Sequence, residues 1–306
     1  MKRIFVGVFA LTSALATSAL AADLPAKVYT KAPPPVVVYD WTGFYAGVNV
    51  GYSWGRSSST DTFFDPTAGT ILSATSGKFD MNGAIGGGQI GYNWEWNRVV
   101  FGLEADIQAS GQKGDGPFSC AGGNPAGITL AALNGACTVG HIGDTTPFNI
   151  AGFPVTGDLV EKLDWFGTVR GRLGGTITPT VLLYATGGLA YGDVKTTDTI
   201  SGTNIVGPQG VNGGTTLIPF AASFGNSSTR VGWTVGAGIE GVISGNWTAK
   251  LEYLYMDLGS VSGTFVTPII TPSGAFATLS YNSHVTDNIL RVGVNYKFSG
   301  PVVARY

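Results

Sequence analysis

The feature that most constrains this chain is a mismatch between how apolar it is and how its apolar residues are distributed. Only 12% of the 306 residues are charged, whereas ordinary soluble domains carry roughly 25%. Yet after residue 20 no apolar run reaches the roughly 18 residues that a membrane-spanning helix needs. Closed β-barrels are the other structure that satisfies every backbone group in lipid. The sequence therefore predicts a transmembrane β-barrel; a soluble β-sandwich with ordinary core aromatics is the alternative.

The N-terminal segment has the organisation of a secretory signal peptide. Two basic residues at positions 2–3 precede an apolar run over 4–20 that ends in small residues. We expect cleavage between Ala21 and Ala22; an uncleaved anchor is the alternative, for which the run is short. Residues 22–40 are rich in proline and lack both periodicities, which predicts an extended periplasmic lead-in.

Eight later segments alternate apolar and polar side chains with the period of two that is typical of β-strands. The third is the clearest, because apolar residues hold every second position over 99–107 while Glu104, Asp106 and Gln108 hold the other face. The predicted strands are 41–56, 82–96, 99–111, 163–177, 181–196, 230–245, 246–259 and 287–298. Strand 181–196 is mildly apolar on both faces, so its sides stay unassigned.

The connections between these segments alternate in length. Short turns at 97–98, 178–179 and 244–246 alternate with long stretches rich in Gly, Ser, Thr and Asn. The long stretches are 57–81, 112–162, 197–229 and 260–286. Bacterial outer-membrane barrels have short periplasmic turns, long external loops and an even strand number. We therefore expect an all-β, eight-stranded antiparallel up-and-down barrel over 41–298, four external loops, periplasmic termini and a C-terminal extension over 299–306.

The short turns also predict a register. The turn at 97–98 sets Trp96 against Val99, and a three-residue turn at 244–246 sets Ile243 against Trp247. The same register sets Glu240 against Lys250, an oppositely charged cross-strand pair.

The polar face of the strands carries nearly balanced acids and bases. An eight-stranded barrel is just wide enough for its interior to be filled by side chains. We therefore expect these charges to pair in the lumen as a structural plug, with a conduction path as the alternative. The predicted network is Glu104, Asp106, Arg170, Arg172, Glu240, Lys250, Glu252, Arg291 and Lys297.

Aromatic residues collect near the strand ends, as expected for rings that lie at the two membrane interfaces. The predicted periplasmic girdle is Trp94, Trp96, Trp247, Tyr296 and Phe298, and the external girdle is Trp54, Trp165, Trp233 and Tyr255.

The predicted loops hold few reactive residues. Cys120 and Cys137 lie in a Gly- and Asn-rich stretch of an exported chain, which predicts a disulfide worth roughly 3 kcal/mol; no metal-ligand spacing is found. His141 and His284 are expected in external loops, as weak candidates for binding haem or another ligand. Ser283 beside His284 specifies no catalytic geometry, and no nucleophile motif is found. We therefore predict no enzyme and no bound cofactor.

Four segments resemble one known family. They are WTGFYAG at 41–47, WFGTVRGRLG at 165–174, YATGGLAYG at 184–192 and RVGVNYKF at 291–298. Together with the Pro-rich lead-in they resemble the porin-family or outer-membrane immunogenic proteins. The resemblance implies an OmpA-like eight-stranded barrel, abundant and surface-exposed, and some relatives are described as haemin-binding. The family offers no catalytic motif to transfer.

The functional expectation is a structural, surface-exposed outer-membrane barrel in a Gram-negative cell, with roles in envelope integrity and in antigenic or adhesive contact. A porin-like solute channel or a haemin-binding surface barrel is the alternative. Expected partners are outer-membrane lipid and lipopolysaccharide, the barrel-assembly machinery, and a host or surface ligand. That machinery usually reads a terminal aromatic residue, here Phe298 or Tyr306. A net charge of −2 without a basic block argues against nucleic-acid binding.

Overall fold

The computed structural model describes residues 39–120, 155–206, 216–270 and 275–298. In these ranges eight antiparallel strands pair in chain order, and β1 pairs with β8 to close a barrel. The strands are β1 Gly43–Asp65, β2 Thr70–Trp96, β3 Val99–Cys120, β4 Val155–Thr178, β5 Val181–Val206, β6 Thr216–Ser244, β7 Trp247–Ile270 and β8 Phe276–Lys297. The predicted fold class is confirmed. None of the described segments forms a helix with the length and hydropathy to cross a membrane.

Three tight turns lie at one end of the barrel, which we call the turn end; the other is the loop end. Trp96 lies opposite Val99 and Glu240 opposite Lys250, as predicted. The prediction that Ile243 lies opposite Trp247 is wrong. A bulge between Val242 and Ser244 absorbs one residue, so Ser244 is the partner of Trp247 and the turn contains two residues.

The strands extend well beyond their predicted limits toward the loop end. Residues 57–81 were expected to form a long loop, but β1 and β2 continue through them and leave only 66–69 as a connection. Most of 260–286 likewise belongs to β7 and β8. Residues 57–81 are rich in Ser, Thr and Gly on both faces, so they lack the apolar alternation that marks a strand in sequence. Residues 276–286 do alternate, but with their apolar residues inward and their polar residues outward, the reverse of the pattern in the membrane band. The two other predicted loops lie partly outside the described residues.

The barrel wall changes character about halfway along the strands. Ladder pairing of β2 with β3 ends at Asn82 and Lys113, and pairing of β6 with β7 ends at Trp233 and Asp257. We call the boundaries beyond these residues, where the two strands are no longer joined by a ladder, the β2–β3 seam and the β6–β7 seam. Past the seams the strands continue as two facing four-stranded sheets, the first β7-β8-β1-β2 and the second β3-β4-β5-β6.

Bulges at this level redirect the strands. They lie at 109–112 in β3, 163–166 in β4 and 257–259 in β7. Gly259 has a φ of +71°, a conformation that glycine adopts without steric cost. Such irregularities twist and bend the strand that carries them, which accounts for the divergence of β7 from β6.

Candidate functional site: a filled lumen

The turn end of the lumen is closed by the residues that precede β1. Trp41 is 2% exposed and packs edge-on against Tyr39, with 5.0 Å between ring centroids. Its backbone N–H donates to Glu95 Oε2 at 2.8 Å. Val100, Leu182 and Tyr184 complete the buried cluster around these rings. Trp41 was predicted to begin the first strand, but it forms part of this plug, and β1 begins at Gly43.

Above the plug lies a layer of charged side chains, which we call the charge layer. It contains four carboxylates and four cations, all 5% exposed or less. Its members are Glu104, Asp106, Glu240, Glu252, Arg170, Arg172, Lys250 and Arg291. The equal numbers of each sign make the layer formally neutral.

Two arginines join opposite walls of the barrel through shared acceptors. Asp106 Oδ2 accepts hydrogen bonds from Arg170 Nη2 at 3.0 Å and from Arg291 Nη2 at 2.9 Å. Glu252 accepts from Arg291 Nε at 2.7 Å, and its other oxygen lies 3.2 Å from Arg170 Nη1. These charge-assisted bonds connect β3, β4, β7 and β8 across the lumen.

Glu104 is the central acceptor of the charge layer. Lys250 Nζ lies 3.0 Å from both of its carboxylate oxygens, and Arg170 Nη2 lies 2.5 Å from one of them. Tyr45 Oη donates to Glu104 Oε2 at 2.8 Å and accepts from Arg172 at 2.7 Å. Breaking such a buried set by removing one partner leaves uncompensated charge, which costs several kcal/mol.

The cross-strand neighbours Glu240 and Lys250 do not bond to each other. Glu240 pairs with Arg172 at 2.6 Å, and Lys250 pairs with Glu104 from β3. The Arg172 guanidinium also stacks 3.9 Å from the ring centroid of Tyr184. The predicted alignment of Glu240 with Lys250 is therefore confirmed, but the ion pairs run across the lumen.

All nine predicted lumen charges are buried, and eight of them form the charge layer. Lys297 is the exception: its ammonium contacts the main-chain oxygen of Asp40 and lies over the ring of Tyr39, so it belongs to the turn-end plug. Sequence reasoning missed Tyr45 and Tyr184 because tyrosines near strand ends resemble girdle residues. Their position in phase with the buried polar residues was the available signal.

An apolar layer closes the lumen above the charges. Phe166, Ala190 and Leu254 are among its fully buried members, and the cluster includes side chains of β2, β4, β5, β7 and β8. This layer explains why β5 was ambiguous in sequence. Its inward face is polar at Thr186 but apolar at Ala190 and Val194, while its outward face is apolar as well.

The outward face carries an apolar band between two levels of aromatic rings. At the turn end Trp94 stacks on Phe101, with 5.6 Å between centroids. On β1, Phe44 and Trp54 are ten residues apart, a rise of about 25 Å at about 3.3 Å per residue and about 40° of tilt. That height matches the apolar band of outer-membrane barrels, about 25 Å. All nine predicted girdle residues are outward and at least partly exposed: Trp54, Trp94, Trp96, Trp165, Trp233, Trp247, Tyr255, Tyr296 and Phe298.

His284 was expected in a loop, but it lies on the outward face of β8. Its Nδ1 is 3.3 Å from Ser260 Oγ, and its Nε2 is 3.4 Å from Asp257 Oδ2. His141 lies outside the described residues. Among the described residues, no group of three or more His, Cys, Asp or Glu side chains has a geometry that could hold a metal ion.

Several terminal and loop predictions fall outside the described residues. They are the cleavage site at Ala21 and Ala22, the terminal Tyr306, and Cys137. Cys120 closes β3, but a disulfide with Cys137 stays a prediction. Phe298 follows β8 and packs against Phe44, and its N–H donates to the Phe44 carbonyl at 2.9 Å.

The chain is similar in sequence to known outer-membrane proteins. The chain is 34% identical over 292 residues to the 31 kDa outer-membrane immunogenic protein of Brucella melitensis, covering 94% of this chain and 97% of that protein. It is 27% identical to a 22 kDa outer membrane protein of Rhizobium leguminosarum, covering 84% and 78%. The outer membrane protease OmpT of Escherichia coli aligns with a TM-score of 0.39 and 11% identity, covering 85% of this chain and 98% of that chain.

A family model described as outer membrane protein beta-barrel domain matches residues 7–298. This range includes all eight strands and all three closures of the lumen. The chain belongs to the outer-membrane protein β-barrel domain family.

Proposed function

We propose that this protein is a structural outer-membrane barrel that stabilises the envelope and presents its loop end to the exterior without conducting solutes. The observation that carries the proposal is the filling of the lumen at three successive levels: the Trp41 plug, the charge layer and the apolar layer. A conduction path would have to displace side chains at all three levels.

The pairing of the buried charges supports this choice over a channel. Selective pores present rings of charge that stay available to passing ions. Here each of the eight charges has an opposite partner within 3.2 Å. An ion entering this layer would have to compete with preformed, desolvated ion pairs, which argues for a plug.

The surroundings of His284 argue against haemin capture at this residue. Both ring nitrogens face a neighbouring polar group, Ser260 on one side and Asp257 on the other. An axial ligand needs one free ring nitrogen, so haem ligation would disrupt one of these contacts.

We place both chain termini and the turn end in the periplasm, because short turns face that side in barrels of this kind. The expected partners are outer-membrane lipid and lipopolysaccharide around the apolar band, the barrel-assembly machinery, and a host or surface ligand at the loop end. Protease added to intact cells should cut near 66–69 and spare the Asn97-Arg98 turn; the reverse pattern would invert the topology.

A deletion strain distinguishes a structural barrel from a porin by which property of the envelope changes, its barrier or its solute uptake. Loss of a structural barrel should increase sensitivity to detergent and to large antibiotics and leave small-solute uptake unchanged. Loss of a porin should slow small-solute uptake. The full chain should restore the barrier in the deletion strain. Slower solute uptake with an intact barrier would refute the proposal.

A further inference from the structure

Three carboxylates face each other across the loop-end half of the lumen, above the apolar layer. Asp61 belongs to the first sheet, and Glu161 and Asp198 belong to the second. Their exposed fractions are 6%, 0% and 1%. Asp61 Oδ1 and Asp198 Oδ1 have no hydrogen-bond partner among the described residues. Buried carboxylate oxygens without partners are costly when ionised, so this site needs charge compensation.

The surrounding strands supply little positive charge to this site. In the described residues, β7 beyond Asp257 has no charged side chain, and β8 between 276 and 286 has only the outward His284. On β6, Arg230 is half-buried and lies six positions down the strand from Phe224, the ladder partner of Asp198. The remaining charged side chains of this half point outward or add negative charge; they are Arg56, Asp65, Lys78, Asp80, Lys113, Asp115, Asp158, Lys162, Asp164, Asp193 and Lys195.

Burial and mutual repulsion therefore favour the protonated acids. Burial, followed by the charge of Glu161, raises the pKa of Asp61 to about 6. Burial, followed by the charges of Asp61 and Asp158, raises the pKa of Asp198 to about 7. Burial also raises the pKa of Glu161, although the hydroxyls of Ser57 and Ser283 oppose the shift. The effect of Asp61 on Asp198 acts between the two sheets.

The two sheets are held together here by side chains and not by a continuous ladder. Across the β6–β7 seam, Phe224 stacks on Phe265 at 5.1 Å, and Asn226 Nδ2 donates to Tyr281 Oη at 3.0 Å. Backbone pairing between β6 and β7 has already ended at Trp233. Separation of the sheets would thus disrupt side-chain contacts without breaking strand pairing.

We propose that the loop-end half is a proton-operated clamp, in which the two sheets stay in contact while Asp61 and Asp198 are protonated and separate along the seams when both ionise. The closed form binds these protons more tightly than an ordinary aspartate does, so the protons stabilise it. This stabilisation of the closed form is fully present below about pH 4. It falls as the pH rises through about 6 for Asp61 and about 7 for Asp198. The lower part of the apolar layer, around Phe166, Ala190 and Leu254, stays closed throughout.

Distance measurement between two spin labels by double electron–electron resonance tests the clamp directly. Spin labels are attached at Thr60→Cys on β1 and Thr197→Cys on β5, both exposed, in the full chain in lipid nanodiscs with Cys120 and Cys137 changed to serine. The distance between these labels should increase between pH 4.5 and pH 8. Labels at Thr60→Cys and Ser262→Cys lie within the first sheet, so their separation should stay constant.

Charge-neutral variants test whether Asp61 and Asp198 cause the change in distance with pH. Asp61→Asn with Asp198→Asn should hold the short distance at every pH, while the exposed control Asp80→Asn should keep the pH response. If the double variant fails to fold by heat-modifiable gel migration, Asp198→Asn alone should reduce the increase in distance and shift it toward higher pH, because only one of the two charges that drive separation is left. A pH-independent distance in the unsubstituted pair, or an unchanged response in the neutral variants, overturns the proposal. Closure by Ca²⁺ at pH 8 also overturns it, because a bound cation would then supply the compensation.

Discussion

At the scale of single residues, Glu104 is the side chain on which the charge layer depends most. Glu104→Gln would leave Lys250 and Arg170 with reduced compensation in a buried site. We expect a loss of about 3–5 kcal/mol in the free energy of unfolding, measured by denaturant titration in detergent micelles. The control Asp80→Asn, at the exposed pair with Arg56, should change it by less than about 1 kcal/mol. Equal small effects would show that the charge layer contributes little.

The outward residues test the position of the membrane band. Val292 is 52% exposed and lies between the two girdles on β8. Val292→Arg should destabilise the barrel, lowering its free energy of unfolding in bilayers by roughly 2–4 kcal/mol, because a cation near the midplane is poorly solvated. Asn282→Arg, on the same strand beyond the outer girdle, should have almost no effect. A comparable loss in both variants would contradict the proposed band.

At the scale of elements, Gly232 allows β6 to approach β7 closely beside their last ladder pair, Trp233 and Asp257. A Cβ atom at this position would lie 1.8 Å from the Asp257 carbonyl oxygen, which is backbone and cannot move alone. Gly232→Ala should therefore break the last ladder pairs and speed amide hydrogen exchange around Trp233 and Asp257. Gly225→Ala on the same strand meets nothing within 4 Å and should leave exchange unchanged. Unaltered exchange in Gly232→Ala would refute this account of the seam.

The strands differed in how well their sequence predicted them. Those in the membrane band were recognised because their outward residues are apolar and their inward residues are polar, as in β3. The loop-end extensions were missed because no lipid imposes an apolar outward face there. Residues such as Ser57 and Thr60 then occupy opposite faces without a contrast in hydropathy.

At the scale of the whole molecule, the filled lumen was predicted in kind but not in its layers. Balanced inward charges in an eight-stranded barrel predicted a plug, and their burial follows from the narrow interior. Which acid pairs with which base depends on cross-lumen distances that a strand register does not determine, as Glu240 and Lys250 illustrate. The apolar layer was hidden because inward apolar residues of β5 resemble lipid-facing ones. The two-sheet division depends on bulges that leave no hydropathy signal.

Conductance of the purified full chain in planar bilayers tests the central claim, a closed lumen, most directly. Heat-modifiable gel migration would first establish that the inserted protein is folded, and a general porin in the same bilayer would establish sensitivity. The three closures predict no steady conductance above the lipid background at moderate voltage. Steady ohmic steps from the folded chain would contradict the filled lumen and favour a channel.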